Sequence, residues 1–281
     1  MTAGGAAPGG PDGPRQAGGA RPEPGPAAPC AAALRVATWN IAAGQRAAGG
    51  LGAVAEVLRG LDADVVAVQE VDRLAERSGT VDQARALGEA LGMSWRFVPA
   101  LLFDGRDGRG WRPLEDGVPD PGGPAYGVAL LARTPPERTE RLALPGPGPG
   151  TAGRRREPRV ALLARVAAGG RSLTVAATHL ANGFPWNAVQ LRFLQDRLPR
   201  LPPPALLLGD LNLPAWAVAV AGRRGWLRSR CGATFPAHRP VSQLDHVLAR
   251  RGEARLLGAR TVASGASDHL PVVAEVALAG R

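Results

Sequence analysis

From Leu34 onward, the short apolar runs of this sequence keep beginning or ending on residues that chemistry can use. "RVATWN" closes on Asn40, "DVVAVQE" on Gln69 and Glu70, "LTVAATH" on His179, and "ALLLGDLN" on Asp210 and Asn212. Further on, "DHVLAR" opens on Asp245 and "SDHLPVVAEV" on Asp268 and His269. Runs this short and this rich in Val, Leu and Ala suit buried strands better than helices. A carboxylate, carboxamide or imidazole at the tip of such a strand lies where the chain leaves the core. In α/β sheets, sites gather at those tips, where short loops meet. Six segments therefore point their polar residues toward what can be one rim.

Strand-like runs occupy 34–40, 64–68, 95–101, 126–132, 159–167, 172–178, 204–209, 244–249 and 270–278. Helical spacing appears in "LGAVAEVLRGL", "VDQARALGEALG" and "NAVQLRFLQDRL". The early part alternates strand and helix, and the later part clusters strands. That pattern predicts an α/β domain with a mixed sheet, or two sheets packed face to face under outer helices. Residues 1–33 are Gly/Pro/Ala-rich and cannot offset their ordering entropy by burial, so they are expected to be disordered, with one globular domain over 34–281. The stretch 104–124 reads as a long surface loop, and 145–158 as a flexible connection.

Composition weighs on the polar residues. The chain has no Lys, one Ile (Ile41), one Tyr (Tyr126), four Asn and four His. This skew looks like a coding bias, so a surviving Asn or Tyr is the more informative. The same bias weakens the net charge of +10 as an argument: it permits phosphate-bearing partners and says no more. The two cysteines, Cys30 and Cys231, imply no disulfide framework. No apolar run approaches the ~20 residues needed to cross a bilayer, and the N-terminus lacks the apolar core of a signal peptide. The expectations are a cytoplasmic monomer with no stable membrane insertion.

Taken singly, each polar residue has an ordinary reading. Asn40 suits a turn, Glu70 a solvated strand end, His179 a hydrogen-bonded core position, and Asp210 a helix N-cap before "LPAWAVAV". Taken together, independent turn residues have no reason to supply a complete metal and base set. Carboxylate plus carboxamide suits a hard ion such as Mg²⁺ or Mn²⁺. A His beside an Asp suits a general base held in one tautomer.

The ordered set Trp39-Asn40, Gln69-Glu70, Thr178-His179-Leu180, Gly209-Asp210-Leu211-Asn212, Asp245-His246 and Ser267-Asp268-His269-Leu270-Pro271 resembles the endonuclease/exonuclease/phosphatase (DNase I-like) superfamily, in particular its small bacterial members. The resemblance implies a four-layer α/β/β/α sandwich of two mixed sheets and metal-dependent phosphoester hydrolysis. By position, it makes Glu70 the principal ligand of Mg²⁺ or Mn²⁺, with Asn40 beside it and Asp268 completing or supporting the shell. His269 becomes general base or phosphate contact, oriented by Asp245. Asp210 handles a proton for the water or the leaving group, while Asn212 and His179 donate to phosphate oxygens. His246 falls on the other face of its strand and reads as structural.

Two positions stay open at this point. Tyr126, in "YGVALLAR" where relatives carry a polar residue at position 128, contacts phosphate or packs at a strand start. Arg159 holds Glu70 or a phosphate, or is a solvated surface group. The substrate implied is a nucleic-acid or lipid head-group phosphodiester. The alternative is a catalytically silent phosphate- or nucleic-acid-binding module on the same scaffold.

Overall fold

The computed structural model describes Met1, Gly5 and residues 33–104, 110–146 and 157–279. The tail expected to be disordered therefore lies outside the described residues but for Met1, Gly5 and Ala33, as do 147–156 of the expected flexible connection and 105–109 of the expected loop. The chain divides into two units, Met1–Cys30 and Ala31–Arg281. All the elements below belong to the second.

The first seven strands are β1 (Leu34–Asn40), β2 (Val65–Arg73), β3 (Ser94–Phe103), β4 (Trp111–Pro113), β5 (Ala125–Ala132), β6 (Arg138–Ala143) and β7 (Val160–Ala168). They are followed by β8 (Arg171–His179), β9 (Ala205–Asp210), β10 (Trp226–Arg228), β11 (Asp245–Arg250), β12 (Ala254–Thr261) and β13 (Val272–Leu278). The helices are α1 (Gly50–Leu61), α2 (Gln83–Leu91), α3 (Trp186–Arg197) and α4 (Ala215–Ala221). One sheet runs β12-β13-β1-β2-β5-β3-β4 and the other β10-β11-β9-β8-β7-β6. Each is mixed, with one parallel pair: β1 with β2, crossed over by α1, and β8 with β9, crossed over by α3.

Strand alternation sorts the core into layers. Val36, Val65, Ala67 and Leu130 of the first sheet meet Leu162, Val175, Leu206, Leu208 and Val247 of the second in a central apolar layer. The opposite face of the first sheet, with Ala37, Trp39, Val66 and Leu131, is covered by Val54, Leu58 and Leu61 of α1 and Leu87 of α2. The opposite face of the second, with Leu163, Ala176, Leu207 and Leu248, is covered by Leu191 and Leu194 of α3 and Val218 of α4. The layers are thus α/β/β/α. Each fully buried Leu or Val contributes roughly 1.5–3 kcal/mol of transfer free energy, which is why both faces of the inner strands read as unbroken apolar runs.

The nine runs legible in the sequence are the nine inner strands. The four strands without a run, β4, β6, β10 and β12, are the four sheet edges. One of them, β4, lies within the stretch read as a long surface loop and pairs with β3. Strand β2 also departs from expectation. It does not end at Glu70 but continues to Arg73, past a register shift between Gln69 and Val71 against β5.

Candidate active site

Four side chains take the inward-facing position at the rim end of their strands, the last residue of three strands and the first of β11. Asn40 continues the parity of Val36 on β1, His179 that of Val175 on β8, and Asp210 that of Leu206 and Leu208 on β9. Asp245 precedes Val247 on β11 in the same phase. The pairing sets three of them side by side: His179 opposite Asp210, and Asp210 opposite Asp245. The central apolar layer therefore ends in a polar row. Gly209 allows the row to close, since a Cβ there would lie 2.1 Å from the Thr178 carbonyl oxygen.

Glu70 arrives differently. It occupies the bulge of β2 with φ +54°, a left-handed conformation uncommon for a side chain larger than glycine. Ala42 and Ala43, which follow Asn40, and Asn212 share the same region, with φ +48°, +53° and +48°. Strain of this kind costs of order 1–3 kcal/mol per residue and persists only where the surroundings hold it. Here the Asn40 amide does so. Its Nδ2 donates to Glu70 Oε1 at 2.9 Å and to Asp210 Oδ2 at 3.1 Å, while its Oδ1 accepts from the Ala42 N–H at 3.0 Å. One side chain thus ties the two sheets together.

The segment before β13 is fastened to the same residues. Ser267 Oγ donates to the Asn40 carbonyl at 2.7 Å, and the Trp39 indole donates to the His269 carbonyl at 2.9 Å. His269 places Nδ1 at 2.8 Å from Asp245 Oδ2 and Nε2 at 3.7 Å from Asp210 Oδ2, with the Phe235 ring 4.7 Å away. A ring with a carboxylate at each nitrogen carries both protons. Burial opposes the cation, but the hydrogen bond and charge of Asp245, helped by Asp210 and Asp268, lift its pKa to about 9. Asp210 moves up as well, to about 7, through burial and then the charge of Asp245.

His179 is the neutral imidazole of the pair. Burial, then the charges of Arg159 and His269, hold it well below the usual range. Arg159 Nη1 approaches its Nδ1 at 3.2 Å, which assigns the proton to Nε2, 3.4 Å from Asp210 Oδ2. Asn212 Nδ2 lies 3.2 Å from that nitrogen and donates to the Leu180 carbonyl at 2.9 Å, and its own N–H donates to Asp210 Oδ1 at 2.9 Å. That last bond, rather than a helix cap, is what the Asp210 carboxylate serves locally, since α4 has no side-chain cap.

Arg159 meets His179 and Glu157, the latter at 3.1 Å. Tyr126 is buried, and its hydroxyl bonds Glu157. Asp268 stands half-exposed with Arg46 at 3.3 Å. His246 points away from the rim: Nε2 donates to the Leu213 carbonyl at 2.9 Å, and Nδ1 faces Gln243 at 3.2 Å.

Three features escape the sequence reading. A cleft of about 350 Å³ opens beside Glu70, lined by Arg77, Phe103, Trp111, Tyr126 and Glu157. In it, Arg77 forks onto the buried carboxylate of Asp72 at 2.8 and 2.7 Å and stacks on Phe103 and Tyr126. Nothing marks Arg77 among 34 basic residues, or Glu157 beside the Arg-rich stretch.

Two ligand sets could hold a metal. Asp210, Asp245 and His269 bring one ligand atom each within 4.8 Å of one another. The contact between Asp245 and His269 in this set is already a hydrogen bond of 2.8 Å. The other candidates are the carboxylates of Glu70 and Asp268, both open to solvent, with Asn40 beside Glu70, its Nδ2 on that carboxylate and one lone pair of Oδ1 left after the Ala42 N–H.

The profile of the Endonuclease/Exonuclease/phosphatase family matches residues 37–269. No curated protein matches the chain. Among solved structures, an endonuclease/exonuclease/phosphatase from Beutenbergia cavernae DSM 12333 is 24% identical, with a TM-score of 0.66 over 88% of this chain and 72% of that one. A Bacteroides thetaiotaomicron mannosyl-6-phosphatase is 19% identical, with a TM-score of 0.62 over 86% and 99%. D. rerio TDP2 complexed with single strand DNA product is 16% identical, with a TM-score of 0.61 over 87% and 99%. At these identities the likeness is one of fold.

Proposed function

The chain belongs to the endonuclease/exonuclease/phosphatase family, and from that premise we propose that it is a divalent-metal-dependent phosphodiesterase acting on a nucleic-acid or lipid head-group phosphodiester. The observation that carries this reading is His269 held between Asp245 and Asp210, with Asn40 linking Asp210 to Glu70. A silent binding module has no use for an imidazole clamped between two carboxylates beside a strained glutamate.

The donor set fits a hard cation. Glu70, Asp210, Asp245 and Asp268 share one rim with His269 and Arg46, and Asp245 Oδ1 is buried with no partner, an oxygen lone pair that the surrounding protein leaves unanswered. Glu70, Asn40 and Asp268 would hold Mg²⁺ or Mn²⁺, which supplies charge neutralisation at the phosphate and leaving oxygens.

The chain's own residues supply the rest. His269 donates from Nε2 to a phosphate oxygen, and Asn212 and His179 are placed to donate to another. Asp210 takes the proton of the attacking water, a task suited to a carboxyl lifted by burial and the Asp245 charge to about 7. The water oxygen bonds to phosphorus, the bond to the leaving oxygen breaks, and that oxygen is protonated from solvent. Of the two roles open to His269, carboxylates at both its nitrogens favour the phosphate contact over the base.

Similar structures include a phosphatase by name and a DNA-product complex, so the ester class needs its own control. Bis(p-nitrophenyl) phosphate and p-nitrophenyl phosphate are offered with Mg²⁺ or Mn²⁺, then with chelator. The expected result is turnover of the diester, abolished by chelation and restored by metal. Turnover indifferent to chelator, or confined to the monoester, contradicts the proposal.

A further inference from the structure

The loops that deliver the site residues also carry, Met1 apart, the most exposed large apolar side chains among the described residues. Phe184, 79% exposed, follows His179 in the loop after β8. Trp216, 71% exposed, sits in the first turn of α4 just after Asn212, with Val220 at 74% one turn further along. A third loop lies against the site through the Phe235 ring on His269 and an Ala237 N–H bond to the Asp268 carbonyl at 2.7 Å; it exposes Val241 at 74%. The first two loops are joined at their base, where Asn187 Nδ2 donates to the Asn212 carbonyl at 2.8 Å.

These side chains have no structural task where they are. The inner faces of α3 and α4 are already buried through Leu191, Leu194 and Val218. Among the described residues, the exposed aromatics are Phe184, Phe193 and Trp216, and two of the three, Phe184 and Trp216, follow shortly on the site residues His179 and Asn212. Single exposed apolar residues need no explanation, but a group of them around one opening marks an interaction surface. Cations accompany them: Arg46, whose side chain is 63% exposed, on the loop after β1, and the exposed Arg239 beside Val241.

We propose that the mouth of the site is a membrane-docking surface, seating Phe184, Trp216, Val220 and Val241 in the interface of an anionic bilayer and presenting the site to lipid phosphodiester head groups. Trp and Phe suit that depth, where an apolar body meets a wet boundary, and guanidinium groups suit the negative surface of anionic lipid. Single-stranded nucleic acid fits less well. Bases stack on aromatic platforms along a cationic groove, whereas half of this set is aliphatic. The choice of lipid over nucleic acid as substrate rests on the phosphodiesterase reading, but the docking surface itself does not.

The test separates the two. Full-length protein is sedimented with phosphatidylcholine vesicles containing phosphatidylglycerol and with phosphatidylcholine vesicles alone, as wild type and as the Phe184→Ser/Trp216→Ser double variant. Both substitutions are at exposed positions outside the catalytic set, so turnover of bis(p-nitrophenyl) phosphate is expected to stay unchanged, and the circular dichroism spectrum and urea midpoint report folding independently of turnover. Wild type is expected to bind the anionic vesicles, and the double variant to bind at least ~10-fold more weakly, the loss of two interfacial aromatic anchors. Absence of wild-type binding, or equal binding by the variant, overturns the proposal. So does a wild-type dimer that the variant dissociates, or single-stranded oligonucleotide binding that needs Phe184 and Trp216. Vesicle binding is read without turnover, so a failed diesterase assay leaves the docking result intact, and turnover without binding overturns docking alone.

Discussion

The two sheets each hold one parallel pair and each end at the same rim, but they position their side chains by different means. The six-stranded sheet uses plain β geometry. His179, Asp210 and Asp245 sit on neighbouring strands in register and continue the inward phase of the leucines and valines behind them. The seven-stranded sheet has to break its ladder, turning Glu70 through a bulge into φ +54° and holding it with Asn40. In the proposed mechanism the regular sheet places the base Asp210 and the donor His179, while the proposed metal ligand Glu70 comes from the bulged strand and His269 from the segment before β13. A proton donor must keep fixed distances to its neighbours, which register guarantees. A metal ligand must project past the sheet, which a bulge achieves at a conformational cost.

The comparison breaks first if Asp210 of the regular row, and the His269 that Asp245 of the row holds, are not the catalytic machinery. Asp210→Ala is expected to lower turnover of a phosphodiester roughly 10²–10⁴-fold, the usual worth of a positioned base, and His269→Ala roughly 10²–10³-fold, the worth of a lost donor to the phosphate oxygen. Steady-state rates within a few-fold of wild type would remove both residues from the mechanism.

A smaller effect sharpens the structural half of the same sheet. Burial lowers His246 to about 4, against the upward pull of its hydrogen bond to the Leu213 carbonyl. The unfolded chain takes up that proton near 6.5, so the contribution of His246 is intact above that pH. It is lost as pH falls toward 4 and is level below, in total about 3 kcal/mol. Asp210 acts in the opposite sense, since its folded carboxyl retains a proton that the unfolded chain releases above 3.8. The clean readout is therefore a difference. Urea unfolding of wild type minus His246→Gln is expected to show that slope between pH 6.5 and 4, and a flat difference would rule the assignment out.

What could be read from sequence follows the same division. Inner strands such as β8, "RSLTVAATH", are buried on both faces and announce themselves, and their last inward residue is the site residue. Edge strands do not. "RTERLA" of β6 and "ARLLGART" of β12 have one solvated margin, so polar and apolar residues mix without a run. The identity of Glu70 was legible from "VQE", but its bulge was not, because a left-handed glutamate leaves no mark in a one-dimensional pattern. Arg77 and Glu157 lie outside the strand-end rule and depend on the fold to reach the cleft.

Metal affinity tests the division of labour between the sheets most directly, without turnover. Mn²⁺ binding is titrated by electron paramagnetic resonance or calorimetry in wild type, Glu70→Gln and His269→Ala. If the metal belongs to the strained end of the seven-stranded sheet, Glu70→Gln weakens binding by ~10-fold or more, while His269→Ala leaves it within a few-fold. Binding that survives in Glu70→Gln and is lost in His269→Ala would instead place the cation among Asp210, Asp245 and His269, and contradict the account.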